Sequence, residues 1–283
     1  MKRIWALIKP AYRQWSDHNA PKMGAALAYY TVLSLAPVLV VLVSLMGFVL
    51  GPKAAEGRIV GEIQEMVGPS GAQAIQTVLA NSNHPASGLI STLLSLVMLF
   101  VGASGVFTEL RDSLNTIWDA PARKNVGLWR TIRERALSFG MVLVIGFLLL
   151  VSLVVSAAAA ALGKFASTLL PIPAVALEGI NFLISAAVIT VLFALIYKVL
   201  PDVFIAWSDV WVGAFATAVL FTLGKFSLGL YIGFAGVGSV YGAAGSLVVM
   251  LVWVYYSAQI FLFGAEFTRA YALRHPDGSK AAS

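Results

Sequence analysis

The chain has 283 residues, 59% of them hydrophobic and 11% charged, against about a quarter charged in an ordinary globular domain. Its net charge of +6 does not point to nucleic acid, because the basic residues sit in short segments between long apolar runs. The absence of cysteine excludes disulfides, iron–sulfur centres and thiolate zinc sites, and says nothing of compartment.

Six stretches carry no charged side chain: Met23–Pro52, Pro85–Thr108, Ala136–Gly163, Gly179–Tyr197, Val210–Gly224 and Phe226–Ala265. A hydrocarbon layer about 30 Å thick is crossed by roughly 20 apolar residues in a helix. The expected fold is therefore all-α, a polytopic membrane helix bundle. Its six spans fall at about 24–51, 87–107, 136–162, 179–199, 210–232 and 246–266, and Lys225 interrupts the fifth. The first apolar run is longer than the roughly 7–15 residues of a signal-peptide core, so it is expected to remain as the first span. Residues 1–272 form one integral membrane domain, and 273–283 read as a disordered cytoplasmic tail.

Charge sets the expected orientation. Fifteen basic residues fall in 1–22, 108–135, at Lys198 and in the tail, whereas Lys53, Arg58 and Lys164 alone fall on the other side. The positive-inside rule then places both termini in the cytoplasm.

Between spans, helical periodicity persists. Ile4, Ile8, Ala11 and Trp15 line one face of a helix suited to the cytoplasmic headgroups, broken at Asp17–Pro21. Phe107, Leu110, Leu114 and Ile117 extend the second span as an amphipathic helix ending at Asp119-Ala120-Pro121. On the outer side, Ile59, Ile63 and Met66, then Ile75, Val78 and Leu79, give two short amphipathic helices.

Catalytic signals are poor. His18, His84 and His275 lie in separate segments, none on a helical face with a carboxylate, so no metal and no cofactor is expected. The informative residues are polar groups within or at the ends of spans. Lys225 stands about 22 Å along the fifth span from Val210, where a charge costs about 2.5–3.5 kcal/mol on insertion scales. It either snorkels to the outer headgroups or contacts an anionic substrate. Glu266 ends the sixth span, and reads as a rim carboxylate pairing with Arg269 or a basic inner loop, or as part of a substrate path. Tyr29, Tyr30 and Ser34 put hydroxyls into the inner half of span one, and Pro37 is expected to kink it. Tyr241 sits in the glycine-broken 233–245 turn, which could dip back into the membrane, and Gln259 is a helix-bonding or pathway residue. Arg111 and Asn115 share one helical face, Glu109 and Asp112 another. Arg123, Lys124, Arg130, Arg133 and Arg135 form an inner belt that would draw anionic headgroups at about 1 kcal/mol each.

Three blocks carry a resemblance: KMGAALAYYTVLSLAPV at Lys22–Val38, ASGVFTELRDSLNTIWD at Ala103–Asp119 and GSVYGAAGSLVVMLVWVYYSAQIFLFGAEF at Gly238–Phe267. With Trp207-Ser208-Asp209 and Gly213-Ala214, they resemble the YihY/virulence factor BrkB family over about residues 5–272. The resemblance implies a bacterial inner-membrane protein of about six helices, loosely linked to envelope integrity, serum resistance or export of lipid-linked material. It carries no agreed catalytic residues. The older ribonuclease BN label of some members finds no support in the dispersed carboxylates here. The expectation is a transporter or flippase-like protein for a lipid or amphipathic envelope molecule, anionic ones included, with membrane lipids as partners. The rival expectations are a non-transporting scaffold and, third, an intramembrane enzyme.

Overall fold

The computed structural model describes residues 2–67, 72–73, 75–76, 105–121, 174–235 and 245–274. Among the described residues there are helices and turns and no strand. The helices are α1 Lys2–Asp17, α2 Ala20–Leu50, α3 Pro52–Val67, α4 over 105–117, α5 Ala174–Val199, α6 Trp207–Ala235 and α7 Gly245–Ala272.

Their boundaries follow from backbone chemistry. Gly51 sits at φ +82°, a left-handed conformation that glycine adopts at no steric cost, and so ends α2. Pro52 then opens α3, where its missing N–H would have had no partner. Asn19 (φ 53°) and Asp119 (φ 48°) occupy the same left-handed position after α1 and α4. At Asp119 two bonds close the end, Ala120 N–H to Asn115 O at 2.9 Å and Asp119 N–H to Thr116 O at 3.2 Å. These satisfy carbonyls that the helix would otherwise leave open.

Spans one, four, five and six of the sequence reading correspond to α2, α5, α6 and α7. The helix α2 continues through position 37, and α6 continues through Lys225 without a break. Most of the second span, all of the third, and residues 236–244 lie outside the described residues.

Packing is built on small residues. Helices α6 and α7 run antiparallel and cross where Gly213 faces Thr268 and Gly264 faces Thr217. A Cβ on Gly213 would lie 2.6 Å from the Thr268 Cβ; one on Gly264 would lie 2.9 Å from the Thr217 Cβ. Each threonine returns its hydroxyl hydrogen to its own helix, Thr217 to Gly213 O and Thr268 to Gly264 O, both at 2.7 Å. The two glycine-x3-threonine pairs thus interlock with no polar group wasted. Tyr197 of α5 reaches into the crossing and donates to Phe261 O at 2.7 Å. Ala194, Ala214, Ala258 and Ala265 fill the same core with Leu114, Ile117 and Leu262.

Large apolar side chains point the other way. Phe182, Leu183, Phe215, Leu223, Phe226 and Leu247 are all more than half exposed. Small residues inside and large apolar ones outside are the reverse of a water-soluble helix bundle, and they fit a helical protein solvated by hydrocarbon. Trp207–Leu228 and Leu247–Ala272 are each long and apolar enough to cross a bilayer. Trp207 and Trp211, both nearly half exposed, open α6 where an interfacial aromatic belt belongs.

Two ends of the bundle are distinguishable. At one, Leu39, Ile59, Ile75 and Met250 form a small apolar cluster, in which the first of the expected outer amphipathic helices (α3) packs along the second half of α2. At the other meet the α1–α2 elbow, the end of α4, the α5–α6 connection and the end of α7. This is the grouping that the charge distribution assigned to a single side. The helix α1 does more than lie on headgroups: it docks on α7, with Ala11 fully buried and Trp15 packed into the main core.

Candidate functional site

The densest polar constellation lies at this second end. The left-handed turn at Asn19 swings α1 away from α2 and leaves His18 at the corner. His18 Nδ1 stands 2.6 Å from Glu266 Oε1, and Glu266 has no exposed surface. His18 Nε2 lies 3.8 Å from Asp119 Oδ1, and Asp119 accepts a hydrogen bond from Arg269, one turn beyond Glu266. Three distant segments, 18–19, 119 and 266–269, are therefore joined by four charged or titratable groups. Glu266 is not the rim carboxylate that the sequence suggested. Arg269, its expected partner, bonds Asp119, and the histidine takes its place.

Several polar atoms near this end are buried without a hydrogen-bond partner among the described residues: Glu266 Oε2, Gln14 Oε1, Trp15 Nε1, Ser113 Oγ, Trp118 Nε1 and Gln259 Oε1. Each forgoes the hydration it had in water, at about 1–3 kcal/mol per neutral group. A carboxylate with one oxygen bonded and the other bare is the most costly of these.

A second clasp ties α4 to the α5–α6 connection. Arg111 donates to Asp202 Oδ1 at 2.6 Å and Asn115 Nδ2 to Oδ2 at 2.7 Å, while Asp202 N–H donates to Asn115 Oδ1 at 2.8 Å. Arg111 and Asn115 act from one helical face, as their spacing implies. On the neighbouring face, burial first and the Asp112 charge second push the Glu109 carboxyl up from its ordinary value. Lys198 donates to Ile205 O and lies over the Phe204 ring, 4.1 Å from its centroid.

The residues singled out from sequence are dispersed. Lys225 is half-buried in a crevice between α6 and α7 lined by Phe221, Leu228, Trp253, Tyr256, Ser257 and Ile260. That crevice is too narrow to hold a water molecule. Gln259 points instead toward the start of α2, with Nε2 3.4 Å from Ala20 O and 3.5 Å from Pro21 O. Tyr29 is more than half exposed, Tyr30 packs on Gly105 of α4, and Ser34 is buried with its hydroxyl on Thr31 O at 3.0 Å. No single cavity joins Lys225, Gln259, Tyr29 and Ser34 among the described residues. The Pro37 side chain, Tyr241 and the belt residues Arg123, Lys124, Arg130, Arg133 and Arg135 lie outside the described residues.

The sequence set His18 aside as a metal ligand and marked Asp119 only as the end of a helix, and nothing there singled out Thr217 or Thr268. The threonines had a signal in the small-x3-small spacing from Gly213 and from Gly264. For His18 there was none, since its partner lies 248 positions away.

Residues 11–283 match the family model described as virulence factor BrkB. The chain belongs to the virulence factor BrkB family. The BrkB relatives include a UPF0761 membrane protein of Ralstonia nicotianae, 29% identical over 265 residues, covering 93% of this chain and 58% of that protein. A UPF0761 membrane protein of Coxiella burnetii is 26% identical over 280 residues, with 99% and 98% covered. One from Pseudomonas paraeruginosa is 30% identical over 260 residues, with 90% and 60% covered. The chain thus spans little more than half of the Ralstonia relative and nearly all of the Coxiella one. No solved structure matches it. These relatives support a membrane protein of the BrkB type.

Proposed function

We propose that this BrkB protein is a multi-pass inner-membrane protein that moves a lipid or other amphipathic envelope molecule between leaflets, with the His18–Glu266 end in the cytoplasm. Lys225 carries the reading. A lysine half-buried on a bilayer-facing helix, beside the hydroxyls of Tyr256 and Ser257, makes a polar track that an anionic headgroup could follow while its chains stay in lipid. The exposed Leu223 and Phe226 on either side of Lys225 keep that track at the lipid boundary. The crevice is too narrow for a headgroup, so the reading requires it to widen for passage. The fifteen-to-three basic imbalance supports this orientation. No catalysis is proposed. In vesicles containing the reconstituted protein, Lys225→Ala should slow transfer of a fluorescent anionic phospholipid while leaving insertion intact. Transfer at the unaltered rate would remove Lys225 from the mechanism.

A second reading, a non-transporting scaffold of the envelope, is favoured by the tight α6–α7 crossing. Cysteines placed at Tyr256 and Ser257 distinguish the two, because the chain has no other. Modification by a water-soluble thiol reagent supports transport; inertness under every lipid condition supports the scaffold.

A further inference from the structure

We propose that the His18–Glu266 pair is a proton-binding site whose occupancy decides whether the α1–α2 elbow is clasped to the end of α7. The inference stands on the geometry of this corner and does not depend on transport. Glu266 is fully buried, and among the described residues its hydrogen bond is to His18 at 2.6 Å, with no partner for Oε2. The His18 side chain is 19% exposed, so the imidazole is not sealed from water as Glu266 is. The surrounding charges are accounted for. Arg269 is engaged by Asp119, and Asp119 also lies 3.8 Å from His18 Nε2. Arg13 and Asp17 pair with one another at 3.7 Å on the exposed face of α1, and Lys22 is exposed at the start of α2.

With the imidazole protonated, the buried carboxylate has a counter-charge in contact. When the proton leaves Nε2 for bulk water, a neutral imidazole still donates from Nδ1, but the carboxylate keeps its whole charge with half its hydrogen-bonding capacity unused. Swinging His18 outward admits water to Oε2 and relieves that cost. The Asn19 turn is the joint about which this happens, since the chain there is a single left-handed residue between two helices.

The absence of cysteine allows a direct test on the full chain in nanodiscs. Spin labels at Ser16→Cys and Leu273→Cys, both exposed, report the distance between α1 and the end of α7. Between about pH 6 and about pH 9 the distance distribution should lengthen and broaden. In His18→Gln and in Glu266→Gln it should no longer depend on pH. A distance identical at both pH values in the unaltered pair, or a response that survives His18→Gln, would overturn the proposal.

Discussion

The α6–α7 crossing yields the sharpest stability prediction. In Gly264→Ala, the new methyl would lie 2.6 Å from the Tyr197 hydroxyl oxygen and 2.9 Å from the Thr217 Cβ. Carbon contacts settle near 3.5–4.0 Å, so α7 must withdraw from its neighbours by roughly 1 Å. Tyr197 and Thr217 have no exposed surface. Overpacking of this kind costs about 1–3 kcal/mol. Replacing a mid-helix glycine by alanine returns about 1 kcal/mol, leaving a net loss of about 1 kcal/mol. Thr217→Ala on its own loses a well-packed hydroxyl and methyl. In the double variant it removes the Oγ1 that would lie closest to the new methyl, although the Thr217 Cβ and Tyr197 contacts remain. The relief is partial, and the two changes should couple favourably by about 0.5–1 kcal/mol. Reversible unfolding by sodium dodecyl sulfate in mixed micelles, followed by tryptophan fluorescence, measures all four corners of the cycle. A Gly264→Ala protein as stable as the original, with an additive double variant, would refute the close-packing argument.

Removing one partner of the buried pair is expected to be harsher. Glu266→Ala or His18→Ala should each cost about 3–5 kcal/mol in the same titration, and the double variant far less than their sum. The Asp202 clasp is partly solvated, so Asp202→Ala should cost about 1 kcal/mol and loosen the α5–α6 connection to limited proteolysis. Glu109 gives a pH dependence of defined sign. Its folded-state carboxyl holds its proton more tightly than the unfolded one, so its contribution to stability is lost as pH rises through the folded pKa. Glu109→Gln should therefore stabilise the protein slightly at neutral pH, and the gain should vanish in acid.

How much of this was legible in the sequence depends on the range of the interaction. The Gly51-Pro52 break, the end of α4 at Asp119 and the Arg111–Asn115 face are set by residues within one or two turns. The sequence displays such determinants directly. The grouping of four connections at one end followed from counting lysines and arginines. Lys225 stood out because a charge in an apolar run is costly wherever it lies. The docking of α1 on α7 was not legible, because an amphipathic face looks the same whether it meets headgroups or another helix. The Glu266 environment was misread for a related reason. Its sequence neighbour Arg269 was the evident partner, whereas the partner adopted depends on the turn at Asn19 and on 248 residues of intervening chain.

Movement of amphipathic molecules across the bilayer is the function proposed for this BrkB protein. Its most direct test is the transfer of a fluorescent anionic phospholipid between leaflets, read by quenching from outside, in vesicles with and without the purified protein. Faster transfer in the protein-containing vesicles, slowed by Lys225→Ala, is the predicted result. Equal rates with and without protein, with or without a transmembrane pH gradient, would contradict the claim and leave the scaffold reading in its place.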